Sequence, residues 1–142
     1  MAINNKKGFT LLEIIVVIII LGVLAGLALP RLFSNVEFSR SAEALNSISI
    51  LRQSIQRCAL MRSDDYTNCD DFVNLDVDDP GTAPGAHFTY AITIQDNIAG
   101  YYTIQADRIA GVDGGTNGDY VRLVLAAGGA TRSGFGAFLG LQ

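Results

Sequence analysis

The residue that asks for chemistry first is Glu13. It stands four positions after Phe9 and opens the run "EIIVVIIILGVLAGLAL", in which the sixteen residues from Ile14 to Leu29 carry no charge. An ionised carboxylate costs roughly 2.5 kcal/mol or more at a bilayer centre and less near the interface. Glu13 therefore needs a cation, a proton or a place among headgroups. Two cysteines, Cys58 and Cys69, come next; with ten residues between them and no Cys-x-x-Cys or histidine cluster nearby, they read as a disulfide in an oxidising compartment or as two core thiols. "VDGGTNGDY" sets Asp113, Asn117 and Asp119 around glycines, a set of oxygens that calcium accepts, but without the twelve-residue EF-hand spacing; a glycine-rich turn accounts for it equally. Asp76, Asp78 and Asp79 precede Pro80-Gly81 as acidic loops commonly do. His87 is alone at the start of an alternating stretch. There is no Ser/His/Asp order, phosphate loop or metal-ligand pair, so no catalytic residue is assigned and no cofactor is expected apart from that possible structural calcium.

The elements that must carry these residues divide the chain unequally. Its 142 residues are one domain's worth, with the apolar excess in the first quarter. Thr10 to Leu29 supplies the twenty or so residues of a membrane-crossing helix. Lys6 and Lys7 before it, with no matching cluster after, favour a cytoplasmic N-terminus and place the rest beyond the membrane. A net charge of −4 and the absence of a basic, aromatic-laced face give nucleic-acid binding little support. Read as a secretory signal, the segment offers Gly26-Leu27-Ala28 for cleavage, but the run is long and Pro30 follows the cut. Read as a plain anchor, it explains the span and leaves Glu13 unexplained.

A third reading covers Lys6 to Phe33. Lys6-Lys7-Gly8, then Phe9-Thr10-Leu11-Leu12-Glu13, then the uncharged run and Pro30, resemble the N-terminus of type IV pilins and of the pseudopilins of type II secretion systems. The resemblance implies cleavage after Gly8 by a membrane-embedded prepilin peptidase. The same enzyme would methylate the new amine of Phe9 with S-adenosylmethionine. It also implies that the apolar segment is retained, and that Glu13 of one subunit meets the Phe9 amine of its neighbour. Such a pair would set the register of otherwise featureless apolar helices; snorkelling of Glu13 to the headgroups is the bland alternative. The partners implied are other copies in a helical filament, the peptidase and methyltransferase, an inner-membrane assembly platform, and lipid before assembly.

Past Pro30, which with Gly22 and Gly26 marks either a bend or the edge of the span, helical patterning resumes. Ala44, Ile48, Leu51, Ile55 and Cys58 form an apolar stripe, and no Pro or Gly interrupts Arg31 to Met61. A helix from Phe9 to about Met61 would run roughly 80 Å, half of it without a partner in its own chain. A loop rich in Asp, Asn, Pro and Gly follows. Alternation then predicts strands at 87–94, 100–106 and 120–126, the first two joined at Asp96-Asn97 as an antiparallel hairpin. "TRSGFGAFLGLQ" is a further strand or a tucked loop.

The fold expected is α+β, a pilin fold: a long N-terminal helix with its apolar half protruding and its amphipathic half on a small antiparallel sheet. The divisions are 1–8 leader, 9–30 membrane and filament-core helix, 31–61 amphipathic helix, and 62–142 head. The function expected is a filament subunit held first in the inner membrane and then in the filament, a type IV pilin and a major one. A type II secretion pseudopilin, whose major forms bind calcium in a comparable late loop, is the alternative. A monomeric membrane-anchored binding module is the third reading.

Overall fold

The computed structural model describes residues 9–140, and the side chains of all of these except 30–34. Its first element is a single helix, α1, from Leu11 to Met61. Helix is the answer an apolar run of this length demands, because in hydrocarbon every backbone N–H and C=O must find its partner within the segment. Pro30 has no N–H to give to the carbonyl of Gly26, one turn earlier, yet the backbone stays helical through both. At the far end, the N–H groups of Arg62 and Asp64 both close on the carbonyl of Ala59, and Ser63 takes a positive φ of 60° to turn the chain away.

The chain divides into two compact units at Val36/Glu37, inside α1. The first holds the apolar helix. From Leu11 to Leu29 it is long and apolar enough to cross a membrane. Its large apolar side chains are exposed, from 42 % at Ile15 to 77 % at Leu11, among the described residues.

The second unit, from Glu37 onward, is the head. Four strands follow α1: β1 (Phe88–Asp96), β2 (Tyr101–Arg108), β3 (Tyr120–Ala126) and β4 (Gly129–Phe135). They form one antiparallel sheet in sequence order. The predicted hairpin is present: Ile92 faces Ile104 and Thr93 faces Thr103, with an irregularity between Ile94 and Asp96 where the strand enters its turn. The Asp96 carboxylate closes that turn by accepting from the N–H groups of Ile98 and Ala99. The C-terminal stretch is both things the sequence allowed, a fourth strand and then a short 3-10 turn (Gly136–Phe138) that carries Phe138 into the core. Gly134 permits this fold-back, since a Cβ there would lie 2.1 Å from the Phe138 carbonyl oxygen.

The core forms where the helical stripe meets the inward sides of the strands. Ala44, Ile48, Leu51, Ile55 and Cys58 are all buried, against Phe88 and Tyr90 of β1, Tyr102, Ile104 and Ala106 of β2, and Val121 and Leu123 of β3. Between α1 and β1 the loop is held by local capping. Asp71 and Asp79 each accept an N–H two residues ahead and start short 3-10 turns at Phe72–Asn74 and Pro80–Thr82. A disulfide joins Cys58 near the end of α1 to Cys69 in this loop. A cross-link closing so short a segment stabilises by about 3 kcal/mol through the unfolded chain. Replacing both cysteines with serine should therefore lower the head's unfolding free energy by about that amount, read from urea transitions followed by circular dichroism in detergent micelles.

Candidate assembly site

The candidate site begins one residue before α1. Thr10 occupies the position immediately preceding the first helical residue, and its hydroxyl accepts the N–H of Glu13 at 3.3 Å. The Thr10 carbonyl accepts from Glu13 and Ile14 at 3.1 and 3.4 Å. Phe9, Thr10 and Glu13 are all exposed, so the acidic group and the residue whose amine cleavage would free lie on the open end of an open helix. Gly8, on the other side of that bond, lies outside the described residues. Gly22 and Gly26 are described, and a Cβ built on either meets nothing within 4 Å. Their smallness answers to no neighbour among the described residues.

A second group of charged side chains, of which only Asp113 was singled out by sequence and then in another role, fastens the beginning of the head. Arg108 ends β2 on its inward side, in phase with Tyr102, Ile104 and Ala106, and its side chain is fully buried. Its guanidinium donates to both carboxylate oxygens of Glu37, at 3.2 and 3.3 Å, and to the carbonyls of His87 and Val112, at 3.0 and 2.9 Å. It also lies over the ring of Phe88, 5.7 Å from the centroid. Arg40, one turn along α1 from Glu37, pairs with that carboxylate at 3.3 Å and reaches the Asp113 carbonyl and carboxylate at 3.0 and 3.3 Å. An inward strand position filled by arginine was the available signal, because a buried guanidinium is retained only where carboxylates and carbonyls surround it.

This arrangement corrects one reading. His87 is not alone: its ring nitrogens lie 3.1 Å from a carboxylate oxygen of Glu43 and 3.0 Å from one of Asp113. Asp113 is engaged by Arg40 and His87, whereas Asp119 is nearly buried and its backbone carbonyl accepts the N–H of Arg108. Among the described residues no group of three or more His, Cys, Asp or Glu side chains is placed to hold a metal ion. The acidic loop also has its own explanation. Asp76 accepts from Arg57 Nε and Nη2 at 2.6 and 3.0 Å and from the buried hydroxyl of Ser54, while Asp79 caps a turn.

The comparisons with known proteins bear on the N-terminal segment above all. The prokaryotic N-terminal methylation motif matches residues 3–29. The type II secretion system core protein G of Escherichia coli strain K12 is 44% identical over 54 residues, 38% of this chain and 37% of that protein. Core protein G of Aeromonas hydrophila is 35% identical over 81 residues, 57% of this chain and 56% of that one. The type IV major fimbrial protein FimA of Dichelobacter nodosus is 28% identical over 102 residues, 72% of this chain and 65% of that one. The chain thus spans less than two thirds of the length of these curated relatives. No solved structure matches. The chain carries a prepilin-type N-terminus and has homologues among both pseudopilins and type IV fimbrial proteins.

Two outcomes follow from the head's charges. Arg108→Met would leave the Glu37 carboxylate with Arg40 alone and strand two carbonyls, and should destabilise the head by roughly 3 kcal/mol, measured by urea unfolding. Hydrogen bonds from Arg57 and then from Ser54 hold the Asp76 carboxyl down to about 2. Since the folded value lies below the unfolded one, this contribution is present above about pH 4 and is lost as pH falls towards 2. Protection from amide exchange across 70–79, taken relative to the intrinsic rate at each pH, should fall over that window in the wild type, and Asp76→Asn should show the reduced protection already at pH 5.

Proposed function

We propose that this chain is the structural subunit, a major one, of an extracytoplasmic helical filament. It is made as an inner-membrane precursor with its N-terminus in the cytoplasm, cut after Gly8 and methylated on Phe9. The observation that carries the reading is the apolar helix from Leu11 to Leu29, exposed among the described residues and headed by Glu13. Such a surface is stable in lipid or among copies of itself, and not in water. Gly22 and Gly26, four apart and with open space over both, suit close approach by other helices. Gly26 and Pro30 are also the pair between which a helical hydrogen bond is missing, which suits a bend there.

In that filament the Phe9 amine, still a cation after methylation, faces Glu13 of an adjoining subunit. An unpaired carboxylate among apolar helices would protonate or destabilise the bundle, and one facing a cation is compensated. Because apolar surfaces slide with little preference, this one pair selects the register. The subunit is a building block and not an enzyme; the chain is the substrate of its processing peptidase. The divisions 1–8, 9–30, 31–61 and 62–142 then correspond to leader, filament core, packed helix and exposed head.

Between the two filament classes, a type IV pilus is the reading we favour. The match to the Dichelobacter nodosus fimbrial protein reaches further along both chains than those to core protein G of Escherichia coli and Aeromonas hydrophila, and the late loop is closed on Arg40, Arg108 and His87 of the chain itself. The matches to core protein G favour the second reading, a type II secretion pseudopilus. Long surface fibres in electron micrographs support the first; short periplasmic fibres required only for protein export support the second. Cysteines placed along 11–29 separate both from a monomeric anchored module, since only a polymer gives a many-copy crosslinking ladder. Glu13→Val should leave the precursor inserted and processed but cut filament yield severely, and a normal yield would remove the register pair. The N-terminal mass of the mature protein reports the cut and the methyl group together.

A further inference from the structure

We propose that Thr10 is a positioning residue for assembly: its hydroxyl caps α1 and so fixes the turn from which Glu13 meets the Phe9 amine. The inference rests on the register reading above. The first N–H groups of any helix have no partner within it. In water they are solvated, but in lipid or inside a bundle of apolar helices each one left bare is costly. The residues that open α1, Leu11 and Leu12, offer no side-chain acceptor. The Thr10 hydroxyl does, and it shares the N–H of Glu13 with the Thr10 carbonyl, at 3.3 and 3.1 Å, so the residue whose placement matters is the one whose backbone the cap helps to hold.

Processing makes this bond more important. The cut creates a positive amine one residue before the cap, at the helix end where the backbone dipole is already positive. That favours unwinding of the first turn. Each residue that unwinds moves the start of the helix by 1.5 Å along the axis and by about 100° around it. A carboxylate that must face one cation on a neighbouring copy does not tolerate such uncertainty. Thr10 and Glu13 are also spaced as a capping box, threonine and glutamate three apart, of which the structure shows the half running from the Glu13 N–H to the Thr10 hydroxyl.

The test replaces Thr10 in the full-length precursor, produced with its own processing and assembly machinery. Thr10→Val keeps the shape and loses the acceptor, whereas Thr10→Ser and Thr10→Asn keep a capping oxygen on different side chains. Three quantities are read: the N-terminal mass, filament yield per processed subunit, and amide exchange at 12–14 of the processed subunit in micelles. The expected result for Thr10→Val is exchange about fivefold faster and a fall in yield of at least that size, from the usual worth of a cap. Both should return with Ser and with Asn. A role resting on shape alone would not be rescued by asparagine. Wild-type exchange and yield in Thr10→Val overturn the proposal, and so does failure of Ser and Asn to restore them. If Thr10→Val blocks the cut, the Asn variant decides: retained exchange and yield support the cap, and their loss overturns it. Glu13→Gln runs in parallel. Normal assembly there defeats the register reading by itself, while the exchange data still report whether Thr10 holds the turn.

Discussion

From Leu11 to Leu29 the chain presents apolar side chains on every side of a helix, exposed among the described residues. The hydrophobic effect leaves such a segment two stable surroundings, hydrocarbon and other copies of itself. The rest of the molecule is organised around that constraint. A charge is admitted only at the head of the run, where it marks position without breaking the apolar surface. The glycines within the run have no packing duty among the described residues. The folded head is assembled wholly from residues after Val36.

The head is fastened to its part of α1 by two different kinds of interaction. From Ala44 to Cys58 the contact is an apolar stripe against the inward sides of three strands, and its energy comes from area removed from water. Before Ala44 the contact is ionic. Glu37 and Arg40 meet Arg108 and Asp113, with the Arg108 guanidinium fully enclosed and each of its three nitrogens bonded to a carboxylate or a carbonyl. Buried pairs of this kind add little net stability, but they admit few alternative arrangements. They define where the packed part of the helix begins, and they close the β2–β3 connection over the same place.

Most of the fold was legible in the sequence, for physical reasons. The helical stripe repeats every three to four residues because only one face is buried, and all five of its members are core residues. β1 and β2 alternate because one side of the sheet is covered, and the third predicted strand coincides with β3. The fourth strand escaped a firm reading because edge residues such as Gly129, Ala130 and Thr131 are exposed on both faces and carry no alternation. The charged cluster was not legible, since its members lie up to 76 positions apart, from Glu37 to Asp113, and only folding brings them together. For the same reason the engagement of Asp113 was hidden: the cation that meets it is an arginine from α1. At the N-terminus the spacing of Phe9, Thr10 and Glu13 is local, so the candidate site was visible before the fold.

One consequence of the sheet's wiring concerns speed. Each strand pairs with its neighbour in sequence, through connections at 97–100, 109–119 and 127–128. The disulfide likewise links residues only eleven apart. Contacts that close over short stretches carry small entropic barriers, and chains built from them fold quickly. The head can therefore form hairpin by hairpin on a helix stripe that precedes it in the chain, with Phe138 against Phe88 among the few pairings that must wait for the last residues. A subunit whose other half is prone to clump in water benefits from a folded partner that does not linger half-made.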